Sequence, residues 1–218
     1  MQGKDSIYAR YVKRFLDILL SGLGMILFCW LFAILALLVR INLGSPIIYK
    51  SKRPGKIDTG TGKERIFELY KFRSMTNKTD ENGQLLPDTQ RLTRFGRILR
   101  ATSLDELPEI YNIFKGDMSI IGPRPLAIVY LDYYTEQERH RHDVRPGLTG
   151  LAQINGRNTL SWEEKFSFDL KYIRELSFLL DVKIFFWTVL KVLKHEGIGQ
   201  GENAPVSLHI ERMSRLQK

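Results

Sequence analysis

Two adjacent carboxylates, Asp105 and Glu106, are the residues of this 218-residue sequence best suited to chemistry. Pro108 follows them and limits the helical conformations open to the segment. Shortly downstream, a Gly-Pro-Arg-Pro run fixes the backbone on both sides of Arg124. A carboxylate that attacks phosphorus forms an acyl phosphate, which a second acceptor can open, and nearby cations must neutralise the phosphate charge. The segment therefore suggests phosphate chemistry.

A structural role is also open for these two acids. Ser103 and Glu106 match an S-x-x-E capping box, and an acid in a first helical turn suits the helix dipole. Pro108 is harmless only near a helix start, so the helix is predicted to begin at about Leu104 or Asp105, which weakens the capping-box interpretation. In either case Asp105 is predicted to lie at a helix N-terminus and to stay ionised.

Basic residues near this segment are candidate ligands for phosphate. By proximity in the sequence these are Lys71, Arg100, Lys115 and Arg124. A divalent cation with oxygen ligands would complement them. The sequence contains no Walker loop, HExxH, GxSxG or zinc-type spacing. His140 and His142 are interpreted as surface or substrate-contact residues rather than a metal pair.

The overall charge favours an anionic partner. The net charge is +9 and the pI is about 9.6. Nucleic acid, anionic lipid and a phosphorylated substrate all fit such a charge. No recognised nucleic-acid-binding motif is present, so nucleic acid is not expected as a partner. The single cysteine, Cys29, excludes an internal disulfide.

An uncharged run extends from Ile18 to Val39. At about 1.5 Å per residue, a helix of this length covers a hydrocarbon core of roughly 30 Å. Basic residues flank the run on both sides: Arg10, Lys13 and Arg14 before it, and Arg40, Lys50, Lys52 and Arg53 after it. A crossing helix normally shows a cationic excess on one side only. The residues leave open a helix that enters and leaves on one face or lies at the interface, and a simple crossing helix. A buried helix of a soluble protein is the less favoured alternative.

The predicted fold is α+β and mostly helical. An N-terminal membrane helix over 1–43 precedes a small catalytic domain over 44–196, and a flexible tail follows over 197–218. In the domain, a short β-hairpin is predicted with strands at 47–49 and 65–72, a turn at 53–55 and a tip at 58–62. Helices are predicted over 91–100, 126–143, from Ser161, and over 181–195, with a loop over 148–158. The helix over 181–195 suits either the membrane interface or the core.

Many short motifs occur in an order that resembles the small monotopic phosphoglycosyl transferases among the bacterial sugar transferases, particularly their minimal members. The resemblance runs from Lys13 to about Lys194. The matching segments are KRFLDI at 13, RPG at 53, YKFRSM at 70, LTRFGRILR at 92, TSLDELP at 102, KGDMSIIGPRP at 115, RPGLTGLAQINGR at 145 and SFDLKY at 167.

The resemblance implies that a phospho-sugar moves from a UDP-sugar to polyprenol phosphate with release of UMP. It implies Asp105 as the nucleophile that carries a covalent phospho-sugar, Glu106 as its acid/base or metal-supporting partner, and Mg²⁺ near Asp105. The resemblance also assigns Lys71, Arg100 and Arg124 to phosphate groups. It places Arg145 and Asp169 in the nucleotide region, where Asp169 matches a recurrent acid without an assigned role. It further implies membrane lipids as partners and the cytoplasmic face of the bacterial inner membrane as the location.

One departure concerns the membrane helix. The family usually has Ser-Pro in the middle of that helix, which bends it so that it re-enters. Here the matching residues are Cys29 and Trp30, so the usual cause of a bend is missing. Re-entry is still favoured, because Asp105 must share the cytoplasm with its nucleotide substrate. A membrane-anchored binding protein and a transferase without a covalent intermediate are the alternative functions. The identity of the sugar, the glycan pathway, the polyprenol length and a homo-oligomeric state are left open.

Overall fold

The fold is mostly helical, with two small sheets. The computed structural model describes residues 3–156, 159–194 and 206–216. The helices are α1 Lys13–Leu27, α2 Cys29–Leu43, α3 Asp88–Arg91, α4 Arg94–Ala101, α5 Glu109–Lys115, α6 Glu136–Arg139, α7 Leu151–Asn155, α8 Trp162–Glu175, α9 Phe178–Leu193 and α10 Leu208–Leu216. The strands are β1 Ile48–Ile57, β2 Glu64–Phe72, β3 Ser119–Ile121 and β4 Gly147–Thr149. The predicted helical character and the short hairpin are confirmed.

The hairpin of β1 and β2 has the predicted tip. Asp58 accepts backbone hydrogen bonds there from Gly60 and Thr61, at 2.8 and 3.1 Å. The first strand is longer than predicted, and the predicted turn at 53–55 is wrong. Pro54 lies within β1, where the register shifts between Pro54 and Ile57. A proline is tolerated at such an irregularity, because the ladder hydrogen bond that it cannot donate is not required.

The N-terminal apolar run is a bent pair of helices. No single helix in the described part of the chain is long and apolar enough to cross a membrane. Tyr8–Leu27 and Cys29–Leu43 reach that length and apolarity together, with a bend of 64° between them. The break lies at Phe28, whose φ of −102° and ψ of 10° leave the helical region. The bend therefore forms without a proline, one residue before Cys29.

Helix α1 is fixed to the rest of the fold by polar side chains. Arg14 donates to the carbonyls of Ile113 and Phe114 at 2.7 and 2.8 Å, so it caps the C-terminal end of α5. Asp17 is buried and accepts hydrogen bonds from the Ser119 hydroxyl at 3.1 Å and the Ile120 amide at 3.0 Å. The KRFLDI motif thus sets the position of the bent helix relative to the domain.

A buried carboxylate, Asp181, completes this attachment. It accepts hydrogen bonds from Lys13 Nζ at 2.6 Å, from the Tyr8 hydroxyl at 2.7 Å and from the Tyr172 hydroxyl at 2.8 Å. Both charges of the Lys13–Asp181 pair are buried. Each charge of such a pair compensates the other. Removing one partner lowers the stability of the fold, because the remaining charge is then buried without a counter-charge.

We expect Asp181→Ala to lower the free energy of unfolding by roughly 3 to 5 kcal/mol, because Lys13 then stays buried without a counter-charge. The double variant Lys13→Met/Asp181→Leu should recover most of this loss, since no buried charge remains. Denaturant unfolding of the purified protein in detergent micelles measures both. Equal destabilisation in the single and double variants would contradict a charge-compensating role.

Several predicted elements differ from the structure. The helix predicted over 91–100 begins only at Arg94, because Thr93 caps it by accepting from the Gly96 amide. The helix predicted over 126–143 is three short pieces, because Tyr134 is extended and Thr135 starts a new capping box at α6. The predicted loop at 148–158 contains the end of β4 and all of α7, while Asn158 lies outside the described residues.

The C-terminal predictions are corrected in the same way. Helix α9 begins earlier than predicted, after Ser177 caps it, and His195 lies outside the described residues. The prediction of a flexible tail is wrong for 206–216, where α10 docks on the domain. Leu208 is buried, and Arg212 pairs with Glu138 at 2.5 Å. The predicted cap at Ser161 is confirmed as a capping box with Glu164.

Candidate active site

A cavity of about 710 Å³ brings most of the predicted site residues together. Its described charged lining residues are four acids, Asp88, Asp105, Glu106 and Asp169, and eight bases, Arg53, Lys71, Arg73, Arg91, Arg100, Arg124, Arg141 and Lys165. We call this space the reaction cavity. The excess of bases suits a ligand with several negative charges, such as a diphosphate.

Asp105 lies in a short 3-10 turn, Leu104–Glu106, between α4 and α5. Ser103 precedes it with a φ of 56°, a left-handed conformation in which its side chain caps nothing. The capping-box interpretation is therefore wrong. Pro108 is the N-cap residue of α5, where its missing N–H is harmless. This turn directs the acids to the cavity rather than into the cap of a longer helix.

Glu106 is held between two cations. Lys71 Nζ lies 2.7 Å and an Arg124 guanidinium nitrogen 2.5 Å from the same oxygen, Glu106 Oε1. Burial alone would raise the pKa of Glu106, but the charges of Arg124 and Lys71 outweigh burial and hold that pKa well below its usual range. Glu106 is therefore an ionised residue that orients two cations.

Asp105 has the opposite electrostatic environment. Its pKa is raised by burial and by the charge of Glu106, and the cations Lys71, Arg100 and Arg124 oppose this shift only in part. Burial thus outweighs the lowering of this pKa that the helix dipole would give, and an ionised Asp105 stays a prediction. None of the described residues donates a hydrogen bond to its carboxylate. Once ionised, a more basic and unpaired carboxylate is a stronger nucleophile.

Glu109 is a third acid, which the sequence analysis missed. It is 2% exposed, and Lys71 Nζ lies 3.1 Å from its Oε1 in an ion pair that is not oriented as a hydrogen bond. Burial and the charge of Glu106 raise the pKa of Glu109 to about 7, although Lys71 opposes the shift. Glu109 thus competes with Glu106 for Lys71 when it ionises. Its position three residues after Glu106, on the same side of the turn, was the available signal.

Glu109 should make stability depend on pH. Below its ordinary pKa of 4.5 it is protonated in both states, and between 4.5 and about 7 only the unfolded chain ionises, which favours unfolding. Glutamine does not titrate, so we expect Glu109→Gln to keep the stability that wild type loses as the pH rises. The free energy of unfolding of the variant minus that of wild type should increase by on the order of 2 to 3 kcal/mol from pH 5 to pH 8. Denaturant unfolding at both pH values measures it. An equal difference at pH 5 and pH 8 would contradict the buried titration.

The Gly-Pro-Arg-Pro segment is supported by the second sheet. Strands β3 and β4 pair in parallel, with Ser119 opposite Gly147 and Ile121 opposite Thr149. A Cβ atom at Gly122 would lie 2.5 Å from the Arg145 carbonyl oxygen, so only glycine permits this approach. The RPG motif at 145–147 therefore packs behind the loop that carries Arg124.

Asp169 and Arg141 fix the same loop from another side. Asp169 Oδ2 accepts from Arg141 at 2.8 and 3.1 Å, and both residues are buried. Arg141 also donates to the backbone carbonyl of Arg124 at 2.8 Å. Asp169, which had no assigned role, therefore holds Arg141, which in turn positions Arg124. Sequence analysis missed Arg141 because its partner lies 28 residues away.

The remaining predicted residues are placed as follows. Arg100 lines the reaction cavity, where its Nε donates to Ser74 at 2.7 Å. The structure does not bring Arg145 to this cavity, because it donates to the Gly116 carbonyl in a separate pocket of about 220 Å³. Lys115 pairs with Asp117 at 3.0 Å, beside that same pocket.

The interpretation as a surface or substrate-contact residue is confirmed for the exposed His140 and wrong for His142. His140 is exposed, as expected of a surface residue, and its Nδ1 lies 3.1 Å from an Asp143 oxygen. His142 is buried against the hairpin, with its Nδ1 3.1 Å from the Gly55 carbonyl oxygen. Burial lowers the pKa of His142 to about 3, so the ring is neutral. His142 is therefore a packing residue.

Aromatic residues form one wall of the reaction cavity. Tyr130 and Trp162 pack edge to face with ring centroids 5.3 Å apart, and Lys165 Nζ lies 4.5 Å from the centre of the Trp162 ring. Gln153 also lines the cavity, and both polar atoms of its side chain are buried without a hydrogen-bond partner. Sequence analysis missed these residues, because each motif that contains them is also compatible with simple packing.

A magnesium ion fits the acids of the reaction cavity through Asp105. Mg²⁺ usually takes one or two carboxylates together with waters and substrate phosphate oxygens. Within 3–156, 159–194 and 206–216, no three His, Cys, Asp or Glu residues are grouped as a complete metal site. The carboxylate of Asp105 receives no hydrogen bond from these residues, whereas Glu106 is occupied by Lys71 and Arg124. Asp105 is therefore the residue that would hold the ion.

Comparison with known proteins gives a consistent family. The model of the family described as bacterial sugar transferase matches residues 8–195. The uncharacterized sugar transferase EpsL of Bacillus subtilis is 54% identical over 162 residues, which are 74% of this chain and 77% of EpsL. The exopolysaccharide production protein ExoY of Rhizobium meliloti is 34% identical over 85% of this chain and 87% of its own length.

A longer relative matches over part of its length. The UDP-glucose:undecaprenyl-phosphate glucose-1-phosphate transferase of Escherichia coli is 42% identical over 194 residues, which are 84% of this chain. The chain spans 40% of the length of that relative. The family match covers the bent helix, the hairpin and all the charged residues that line the reaction cavity. This chain belongs to the bacterial sugar transferase family.

Proposed function

We propose that this protein transfers a phospho-sugar from a UDP-sugar to polyprenol phosphate, as the first membrane step of glycan assembly. In the first half, an Asp105 oxygen attacks the sugar-bearing phosphorus, the bond to the bridging oxygen breaks and UMP leaves. In the second half, a phosphate oxygen of polyprenol phosphate attacks the same phosphorus and releases Asp105. The name of the E. coli relative includes a UDP-sugar and undecaprenyl phosphate, which supports this class of substrates.

The observation that carries the proposal is the contrast between the two adjacent carboxylates. Glu106 is paired with Lys71 and Arg124 and is held ionised, so it is a poor nucleophile. Asp105 is buried beside these charges, has a raised pKa and accepts no hydrogen bond from the described residues. One carboxylate thus organises cations for phosphate, and its neighbour is left to react.

Magnesium belongs to the same proposal. When bound, it neutralises phosphate charge, and Asp105 is the residue that would hold it. Lys71, Arg100 and Arg124 supply positive charge from the protein itself at the wall of the same cavity. Arg124 in particular presents a planar guanidinium, which suits phosphate oxygens.

The proposed location is the cytoplasmic face of the bacterial inner membrane, with the bent helix re-entrant. Two features support it: the 64° bend at Phe28 and the exposed apolar face of α9. On that face Phe186 is 61% and Leu193 70% exposed, which suits a helix that lies at the membrane interface.

Topology can be tested with a single cysteine. We expect Asp5→Cys in a Cys29→Ser background to resist a membrane-impermeant thiol reagent in intact cells and to react after permeabilisation. Asp5 is exposed and precedes the bent helix, so its accessibility reports the side on which the chain begins. A matched cysteine at exposed Thr61 in the hairpin tip serves as the cytoplasmic control. Labelling of Asp5→Cys in intact cells would show a crossing helix instead.

The reaction is tested by following UMP. Purified protein with Mg²⁺, polyprenol phosphate and a panel of UDP-sugars should release UMP with at least one sugar. With that UDP-sugar and no acceptor, labelled UMP should exchange into UDP-sugar, because the first half is reversible on its own. Release of UMP without any exchange would favour direct transfer, and no release across the panel would favour a binding protein.

A further inference from the structure

A second cavity, of about 260 Å³, adjoins the reaction cavity. We call it the α9 groove. Most of its lining is apolar, and comprises Leu107, Ile110, Ile120, Leu148, Ile154, Phe185, Val189 and Val192. Glu106, Arg124 and Gln153 line both the groove and the reaction cavity. The apolar space therefore borders the reaction cavity at the carboxylate–arginine pair.

Another apolar cavity lies at the helix bend. It measures about 530 Å³ and includes Phe28, Cys29 and Phe32 in its lining. We call it the bend groove. Although larger, it shares no lining residue with the reaction cavity among the residues that the structure describes. Leu107 and Ile110 line both the bend groove and the α9 groove, but only the α9 groove shares Glu106 and Arg124 with the reaction cavity.

Buried polar atoms without hydrogen-bond partners lie where the α9 groove borders the reaction cavity. Gln153 has a buried amide nitrogen and a buried amide oxygen, neither of which is hydrogen-bonded. Unpartnered polar atoms lower stability, and a polar group of a ligand at the junction would satisfy them. The Arg124 side chain is 34% exposed, and its hydrogen bond to Glu106 uses one of its nitrogens. The Arg124 guanidinium and the Gln153 amide nitrogen can both donate to an anionic head group.

The outer side of the groove faces the proposed membrane. Val189 lines the groove and is 41% exposed, and the next residue, Leu190, is 47% exposed but lies outside the groove lining. Helix α9 therefore presents apolar side chains both to the groove and away from the domain. A lipid chain passing along this helix would stay in apolar surroundings from the bilayer to the junction.

We infer that the α9 groove holds the isoprenyl units next to the phosphate of the polyprenol phosphate acceptor. The inference rests on the proposed function and names the path of its second substrate. The acceptor phosphate must reach the phosphorus on Asp105, whereas its hydrocarbon is poorly accommodated among the eight bases of the reaction cavity. A groove that is mostly apolar and borders that cavity at Arg124 meets both requirements.

Neighbouring positions on α9 provide a matched test. Val189→Trp fills part of the groove, and Leu190→Trp adds the same side chain to the same helix outside it. Each full-length variant is assayed for UMP exchange without acceptor and for transfer to polyprenol phosphate. We expect Val189→Trp to raise the KM for polyprenol phosphate by about tenfold or more. An increase of roughly this size follows when two methylene groups of the lipid are no longer buried. The exchange rate of this variant should stay within about twofold of wild type, because the first half needs no acceptor.

Leu190→Trp should match wild type in both assays, and so should Cys29→Trp, which obstructs the bend groove. Equal acceptor KM values for Val189→Trp and Leu190→Trp would overturn the inference, as would a larger effect from Cys29→Trp. Normal exchange in Val189→Trp also shows that this variant is folded. Absence of exchange in wild type would instead overturn the covalent route of the proposed function, while the acceptor KM values of Val189→Trp and Leu190→Trp would still decide the inference.

Discussion

Replacing Asp105 with asparagine should abolish the reaction. The amide keeps the size of the side chain and removes the nucleophilic oxygen, so we expect turnover to fall by at least about a thousandfold. UMP exchange without acceptor should fall equally, because the same oxygen starts the first half. UMP release and exchange assays measure both quantities.

Asp105→Asn needs a control for folding and for a general charge effect. Because burial raises the pKa of Asp105, its replacement removes an unfavourable buried charge and should not destabilise the fold. Asp132 is exposed and lies outside the described cavity lining, so Asp132→Asn should retain wild-type turnover. A folded Asp105→Asn variant with normal turnover would refute Asp105 as nucleophile.

Replacing Arg124 with methionine should give the second largest loss. Arg124 pairs with Glu106 and lies at the wall of the reaction cavity, where a fixed guanidinium can stabilise charge on transferring phosphate. Loss of one preorganised donor of this kind lowers kcat by about 10² to 10³. We expect the loss of kcat in Arg124→Met to lie in that range. Arg124→Lys should recover only part of the lost kcat, because an ammonium group lacks the planar arrangement of donors in a guanidinium. Steady-state kinetics of UMP release measure the effect.

The matched control for Arg124 is Arg97, an exposed arginine of α4 that lines none of the cavities described above. Arg97→Met removes the same charge and should leave kcat within about twofold, because an exposed charge contributes little. Similar losses in Arg97→Met and Arg124→Met would point to overall charge rather than to a phosphate contact at Arg124.

Local patterns predicted much of the fold. The hairpin tip at Asp58 and the cap at Ser161 were predictable because their hydrogen bonds lie within three residues. The break before Arg94 was missed, although Thr93 is a good N-cap, because apolar spacing continued through Leu92. The bend at Phe28 was not predictable from a residue type, since no proline is present at the break.

The sequence motifs predicted which residues form the candidate site, but not the pKa shifts of its acids. The structure brings Lys71, Arg100 and Arg124 to one cavity with Asp105 and Glu106. Burial reversed the expected effect on the pKa of Asp105, and burial depends on residues distant in the sequence. Contacts across long separations, such as Asp17 with Ser119 and Arg141 with Asp169, carry no local signal. Sequence analysis therefore located the two acids of the cavity but not the residues that position them.

The most direct test of the central claim is to isolate the covalent enzyme. The protein is mixed with Mg²⁺ and an accepted UDP-sugar in the absence of polyprenol phosphate, quenched and digested for mass spectrometry. We predict that the peptide containing Asp105 gains the mass of one sugar phosphate, and that fragmentation places this mass on Asp105. Addition of polyprenol phosphate before the quench should remove it. An unmodified Asp105 peptide from an enzyme that releases UMP, or a phospho-sugar on another residue, would contradict the account.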